Sequence, residues 1–121
     1  MTNYLPNGNE PEFDGVSLSL LNGEFNPLSR PISKHYRCKN LDKIVIFDEN
    51  SNYSVKYNNS KSLAYRLIYN GNADEYICLE PQTVMANAPN VSFSKEISGY
   101  IKPNSKKVFK SEILLLKGDR R

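Results

Sequence analysis

The stretch YSVKYNNSKSLAYRLIY, residues 53–69, decides the fold class of this chain. In its first five positions, tyrosine and valine alternate with Ser54 and Lys56. This period of two predicts a β-strand with one buried and one solvated face. A polar turn at residues 58–60 follows, and residues 63–69 form a second run of aromatic and aliphatic side chains. The stretch therefore predicts two β-strands separated by a turn.

Four more short runs are rich in β-branched, aliphatic or aromatic residues and predict further strands: residues 16–21, 43–47, 76–79 and 108–116. Turn signals separate them, and no window holds the spacing of an amphipathic helix long enough to predict one. The regular spacing of short strands predicts an all-β fold, an antiparallel β-sandwich. Residues 22–34, which contain two prolines, are expected to form a long loop that carries function or packs over a sheet.

The length of 121 residues predicts a single domain, residues 1–121. Residues 1–14 are expected to form an extended arm, because they hold two prolines, a glycine and few apolar positions. Sixteen basic and thirteen acidic residues give a net charge of +3, and this weak, dispersed excess argues against nucleic-acid binding. No run is long enough for a membrane span, and the N-terminus lacks an export signal, so we expect no membrane contact and a cytoplasmic location.

The chain has two cysteines, Cys38 and Cys78, and one histidine, His35. Their spacing matches no zinc pattern, and one histidine cannot complete one, so no metal site is predicted. No phosphate-binding glycine loop is present, and no cofactor is expected. Two buried, reduced thiols are the preferred interpretation, and a disulfide would require the two strands to be adjacent.

The segment Cys78-Leu-Glu-Pro-Gln-Thr83 places one acidic residue, Glu80, at the end of an apolar run and directly before a proline. A carboxylate is costly to desolvate, so at such a position it commonly has a partner or a chemical task. The competing interpretation is that Glu80 marks the point where a strand reaches the surface. Amide and hydroxyl side chains follow it, and such side chains favour a binding site for a polyhydroxylated ligand. They are Gln82, Thr83, Asn87 and Asn90.

Three segments carry a resemblance to a known family. Residues 77–83, continued by residues 87–90, resemble the C-terminal signature of the aldose 1-epimerase (mutarotase) family. Residues 4–8 resemble the Leu-Pro-x-Gly segment of that family, and residues 99–105 resemble its late turn before the last strand. The three matches occur in the family order and span nearly the whole chain.

The resemblance implies a β-supersandwich that binds an aldose, such as an aldohexose, in a groove and interconverts its α and β anomers. It gives Glu80 the role of the general base that takes the proton of the anomeric hydroxyl. It implies that Gln82 and Asn87 line the groove or hold the loop beneath it. His35 is a candidate substrate contact, and a packed structural histidine is the competing interpretation.

The resemblance also predicts what is missing. Family members are longer, and the chain resembles their C-terminal part; the acid histidine, a second histidine and an arginine belong to their N-terminal part. Ser33 and Lys34 stand where the family has an acidic residue. Because a partial sandwich leaves strand edges and apolar surface uncovered, we expect a homodimer or a complex with a complementary N-terminal half.

Three functional interpretations follow. The chain is an epimerase-like protein, truncated or part of a split enzyme, with Glu80 as its base. Alternatively, it is a carbohydrate-binding module that does not catalyse, or an inactive structural fragment that neither binds nor turns over a sugar.

Overall fold

A computed structural model of the 121-residue chain describes residues 14–38, 43–84 and 100–121. These ranges hold one short helix and six strands: α1 (Gly15–Leu21), β1 (Ser33–Arg37), β2 (Lys43–Asp48), β3 (Tyr53–Asn59), β4 (Tyr65–Tyr69), β5 (Cys78–Gln82) and β6 (Ser111–Lys117). The strands form two three-stranded sheets, with the orders β1-β4-β5 and β2-β3-β6. Every strand pair is antiparallel, so the prediction of an antiparallel all-β fold is confirmed.

The alternating residues 53–57 form most of β3, the central strand of the β2-β3-β6 sheet. In this strand Val55 lies opposite Ile46 on one side and Leu115 on the other. On the opposite face, the Ser54 hydroxyl is fully buried and donates to the Gly118 carbonyl oxygen at 2.6 Å. The alternation of Ser54 with its apolar neighbours thus separates two faces, as the period of two predicts.

The C-terminus ties this sheet to the end of α1. The Arg121 guanidinium lies 5.2 Å from the ring centroid of Phe47 on β2 and donates to the Gly23 carbonyl oxygen at 3.0 Å. Gly23 follows the helix in a left-handed conformation, with φ of 72°. One cationic side chain therefore contacts both the β2 strand and the turn that ends the helix.

The prediction of a strand at residues 16–21 is wrong, because these residues form helix α1. Asp14 caps the helix: its carboxylate accepts from the Ser17 backbone N–H at 2.9 Å and from the Ser17 hydroxyl at 2.8 Å. The alternation of apolar residues and serine in this segment is the pattern of a strand, but an aspartate three residues before a serine satisfies the free N–H groups of a helix start.

Other strand boundaries also differ from the prediction: β4 begins two residues later and β6 three residues later than expected. β1 lies partly inside residues 22–34, which were expected to form a loop, and the strand continues to Arg37. β5 begins at Cys78 and runs through Glu80 and Pro81 to Gln82, whereas the sequence predicted a strand that ends at residue 79. Proline lacks an N–H, and it is tolerated here because β5 is an edge strand of its sheet. The predicted arm at residues 1–14 lies outside the described residues apart from Asp14.

The Asn70 side chain, which is 0% exposed, fastens the loop before β1 to the end of β4. Its amide nitrogen donates to the carbonyl oxygens of Pro27 at 2.7 Å and Arg30 at 2.8 Å. Its amide oxygen accepts from the Ile32 N–H at 2.8 Å. Every donor and one acceptor site of this amide are therefore used inside the protein. Ile32, one of the three buried apolar residues of the described core, is held beside the sheet by this contact.

We predict that Asn70→Ala destabilises the protein by about 2–4 kcal/mol, because it leaves two carbonyl groups and one N–H without their partner. Urea unfolding followed by circular dichroism measures the loss. Asn72→Ala is the matched control, since Asn72 is exposed two residues away, and it should change the free energy of unfolding by less than about 0.5 kcal/mol. Equal effects of the two substitutions would contradict the role given to Asn70.

Candidate functional site

The register of the β1-β4-β5 sheet places His35, Leu67 and Glu80 in one row. His35 is opposite Leu67, and Leu67 is opposite Glu80. Directly opposed residues of antiparallel strands point to the same face, so the histidine and the carboxylate share a face with Leu67 between them. They lie two strand spacings apart, about 10 Å between their backbones. Glu80 is exposed and sits in the middle of β5, at the edge of the sheet.

The next row toward the end of β5 holds Arg37, Tyr65 and Gln82 on the same face. The amide oxygen of Gln82 is buried and has no hydrogen-bond partner. An unsatisfied buried acceptor costs about 1–3 kcal/mol, and a hydroxyl donor that reached it would recover that energy. Three of the four residues predicted for the site, His35, Glu80 and Gln82, therefore share one sheet face. The fourth, Asn87, lies outside the described residues.

The row on the other side of Glu80 holds Ser33, Tyr69 and Cys78. Tyr69 packs against Tyr76, with ring centroids 6.1 Å apart and ring planes inclined by 54°. A side-chain hydrogen bond with Tyr69 is the largest of the effects that raise the pKa of Tyr76 to about 12. Sequence analysis did not identify this aromatic pair as part of the site, because Tyr76 precedes β5 and its place depends on the turn before it.

The turn at residues 70–74 brings Tyr76 to Tyr69. Gly71 has φ of 64°, a conformation that favours glycine, and a Cβ atom there would displace the Asp74 carboxylate and the Tyr76 hydroxyl. Ala73 is also left-handed, with φ of 62°, a conformation that costs a non-glycine residue about 1–2 kcal/mol. The Asn-Gly pair was visible in the sequence as a turn signal, but its consequence for Tyr76 was not.

The opposite face of this sheet is covered by α1. The Tyr36 hydroxyl lies 3.0 Å from the Ser17 hydroxyl of the helix, and Lys34 forms an ion pair with Asp14. Burial raises the pKa of Tyr36, against a smaller lowering by its hydrogen bond to Ser17. On this face Arg66 and Ile68 are buried, whereas Glu80 and Tyr69 on the other face are exposed.

Arg66 also belongs to the helix-covered face and is 2% exposed. Its Nε and Nη2 atoms are buried without hydrogen-bond partners. Desolvation raises the pKa of the nearby Cys38 thiol, and the charge of Arg66 lowers it by less. This guanidinium is separate from the row of Glu80, because Arg66 and Leu67 point to opposite faces of β4.

The two cysteines are both free thiols, as predicted, but both are half-buried, whereas the sequence analysis expected them to be buried. The Cys38 N–H bonds the Ala64 carbonyl oxygen beyond one end of β4, whereas Cys78 is opposite Tyr69 at the other end. This separation along the sheet excludes a disulfide in this fold. Within the described ranges, no three histidine, cysteine, aspartate or glutamate side chains are grouped as a metal site would need. No helix in the same ranges is long and apolar enough to cross a membrane.

The chain was compared with known proteins. No protein-family model and no curated protein sequence matches it. Among solved structures, it is similar to a galactose mutarotase-like protein from Clostridium acetobutylicum, with a TM-score of 0.75 and 28% sequence identity. The match covers 93% of this chain and 36% of the other, so the chain spans about a third of the length of that protein. The resemblance drawn from the sequence is thus supported at the level of the fold.

We predict that Tyr69→Phe lowers the pKa of Tyr76 from about 12 toward its ordinary value of 10.0, because the substitution removes the hydroxyl that stabilises neutral Tyr76. The raised pKa means that the folded protein favours the neutral phenol. This contribution to stability is complete below pH 10 and is lost as the pH rises from about 10 to about 12. NMR titration of the Tyr76 ring carbons measures the change. Tyr53→Phe, on the other sheet, should leave the titration unaltered.

Proposed function

We propose that the chain is an aldose 1-epimerase-like protein that binds an aldohexose on the face of the β1-β4-β5 sheet that carries Glu80. The observation that carries the proposal is the row that sets Glu80 and His35 on one face, with Gln82 in the next row. The fold-level similarity to a galactose mutarotase-like protein supports a sugar as the ligand. Glu80 and Gln82 belong to the segment that the sequence analysis singled out for a polyhydroxylated ligand, and His35 is its candidate substrate contact.

The proposed reaction begins at Glu80. Its carboxylate takes the proton of the anomeric hydroxyl, the oxygen of that hydroxyl forms a carbonyl bond to C1, and the bond from C1 to the ring oxygen breaks. The electron pair of the broken bond remains on the ring oxygen, which takes up a proton. Rotation about the bond between C1 and C2 and closure on the other face of the carbonyl give the second anomer. Glu80 is exposed at the sheet edge, where a sugar hydroxyl can reach it.

The spacing within the row suits a sugar ring. The His35 and Glu80 side chains rise from strands whose backbones are about 10 Å apart, which leaves room for a sugar ring above Leu67. Leu67, which is half-buried between the two polar side chains, would lie under the ring. The unpartnered amide oxygen of Gln82 would accept from a further sugar hydroxyl.

Protonation of the ring oxygen needs a general acid, and the resemblance identifies no residue of this sequence for that role. The resemblance assigns that step to a histidine of a segment that this sequence does not match, and the one histidine, His35, belongs to a different segment. We therefore assign the acid to a group outside this sequence, and we expect slow turnover from these 121 residues alone. Loss of one general acid or base reduces rates by about a hundred- to ten-thousandfold.

A second candidate function, sugar binding without catalysis, is favoured by one specific observation. The Gln82 amide oxygen is buried without a partner, and a turn of the side chain toward the sheet face would let it accept from a sugar hydroxyl, whether or not any reaction follows. In that case Glu80 and His35 would contribute hydrogen bonds to the sugar and would transfer no proton.

We predict that Glu80→Gln reduces the rate of mutarotation above the spontaneous rate by about a hundredfold or more, because the amide cannot accept the proton. Polarimetry of freshly dissolved α-D-galactose and α-D-glucose measures the rate. Glu75→Gln is the matched control, since Glu75 is an exposed carboxylate in the turn before β5 and should keep the rate of the unaltered chain. Equal rates for the unaltered chain and Glu80→Gln would exclude a catalytic role for Glu80.

Binding is predicted separately from turnover. Titration with either sugar should shift the NMR signals of the Gln82 side-chain amide and the His35 ring, and Gln82→Ala should weaken binding by about tenfold, the effect of one buried hydrogen bond. Shifts at these residues without a Glu80-dependent rate would identify a binding module. The absence of both shifts and rate enhancement would leave a structural role and contradict the proposed function.

A further inference from the structure

One face of the β2-β3-β6 sheet is apolar and exposed. Three rows of directly opposed residues define it, and we call it the apolar face: Ile44, Tyr57 and Ile113; Ile46, Val55 and Leu115; Asp48, Tyr53 and Lys117. Ile113 is 67% exposed and Leu115 is 69% exposed. Val55 and Tyr53 on the central strand β3 are also exposed, at 38% and 42%, so the accessible apolar surface extends from the edge strand β6 into the middle of the sheet.

The area of this face is relevant to an interface. Its four most exposed apolar residues contribute on the order of 400 Å² of accessible surface, within the range of about 300–600 Å² of the largest apolar patch on a monomer, which is often functional. They are Tyr53, Val55, Ile113 and Leu115. A standard protein interface buries about 800 Å² on each partner, and its centre is more apolar than its rim. The face therefore has the area of an interface centre, and the exposed residues around it can supply the rim.

The charges on the face are arranged to fit a second copy of the same face. The three rows carry two charged residues, and both belong to one row: Asp48 on β2 and Lys117 on β6, on opposite sides of Tyr53. Suppose that two copies pack face to face about a two-fold axis parallel to β3. Rotation about this axis places β2 of one copy over β6 of the other. Each residue keeps its position along the strand direction, so every row faces the same row of the other copy. Asp48 of each copy consequently meets Lys117 of the other, and the two apolar rows lie against each other.

A two-fold axis perpendicular to the strands would not give this match. With the axis through the row of Val55, it would place Asp48 over Ile44 of the other copy and Lys117 over Ile113, and both of these residues are apolar. Both charges would then lose their partners, so the charge pattern selects the first arrangement.

We propose that the chain forms a symmetric dimer through the apolar face, with β3 of the two copies aligned and two Asp48–Lys117 ion pairs between the copies. The two sheets then pack as the layers of a β-sandwich, with interdigitated side chains from Ile113, Leu115 and their row partners. This inference is independent of the proposed sugar chemistry, because the apolar face belongs to the other sheet.

Sedimentation equilibrium of the full chain in reducing buffer tests the proposal. At micromolar concentration the unaltered chain should have twice the mass of one chain. Leu115→Lys should weaken dimerisation by about a hundredfold or more, because a charge would be buried at the centre of the interface. Leu28→Lys is the matched control, since Leu28 is 66% exposed outside both sheets, and this variant should dimerise like the unaltered chain. Circular dichroism and thermal unfolding confirm that both variants fold.

A charge test identifies the axis. Lys117→Glu should weaken the dimer by about tenfold or more, because a glutamate would then face Asp48 in each of the two symmetric charge pairs. Adding Asp48→Asn to that variant should recover most of the loss. Asparagine removes the charge while keeping an oxygen that can accept from the Asn50 N–H, as Asp48 does at 3.1 Å. A monomeric unaltered chain, a dimer that tolerates Leu115→Lys, or a double variant as weak as Lys117→Glu would each overturn the proposal.

Discussion

The three hydrogen bonds of the Asn70 side chain are the constraint on which the first sheet, β1-β4-β5, depends. A buried amide must use its polar atoms or lose about 1–3 kcal/mol for each one left unpaired. Asn70 uses them on the loop that leads into β1, and its own N–H donates to the Ile32 carbonyl oxygen at 3.1 Å. This contact fixes where β1 begins against the end of β4. The register that follows places His35 opposite Leu67, so the arrangement of the candidate site originates in an amide at the far end of the strand.

The two sheets differ in what lies on their faces. The first sheet has one face under α1, where Tyr36 and Ser17 meet, and one face on which polar side chains surround Leu67. The second sheet carries apolar residues on both faces, and one of those faces is exposed. An exposed polar face suits a small hydroxylated ligand, whereas an exposed apolar face suits a macromolecular surface. The separation of the proposed sugar site from the proposed interface follows from this difference.

Much of the fold was predictable where the local pattern and the tertiary structure agree. The alternation in β3 and the apolar run of β2 gave strands that the structure contains. The same kind of alternation failed at residues 16–21, because the cap that Asp14 provides is a specific side-chain contact and periodicity does not include it. β1 was missed because its sequence, Ser-Lys-His-Tyr-Arg, has no strong β pattern, and its pairing with β4 stabilises it. Of the site, Glu80 and Gln82 were found from their chemistry, but the distance that separates Glu80 from His35 along the chain hid the fact that they share a row.

Pro81 limits strand pairing at the edge of the candidate site. It occupies the edge strand β5 between Glu80 and Gln82, and it has no N–H to offer to another strand. A polypeptide that tried to extend the sheet past β5 would find no donor at the central position of the site, so strand addition there is disfavoured. Pro81, which is part of the Glu-Pro-Gln-Thr motif, therefore disfavours the pairing of another strand with β5 beside the Glu80 carboxylate. Small molecules do not need such a backbone donor to reach this edge.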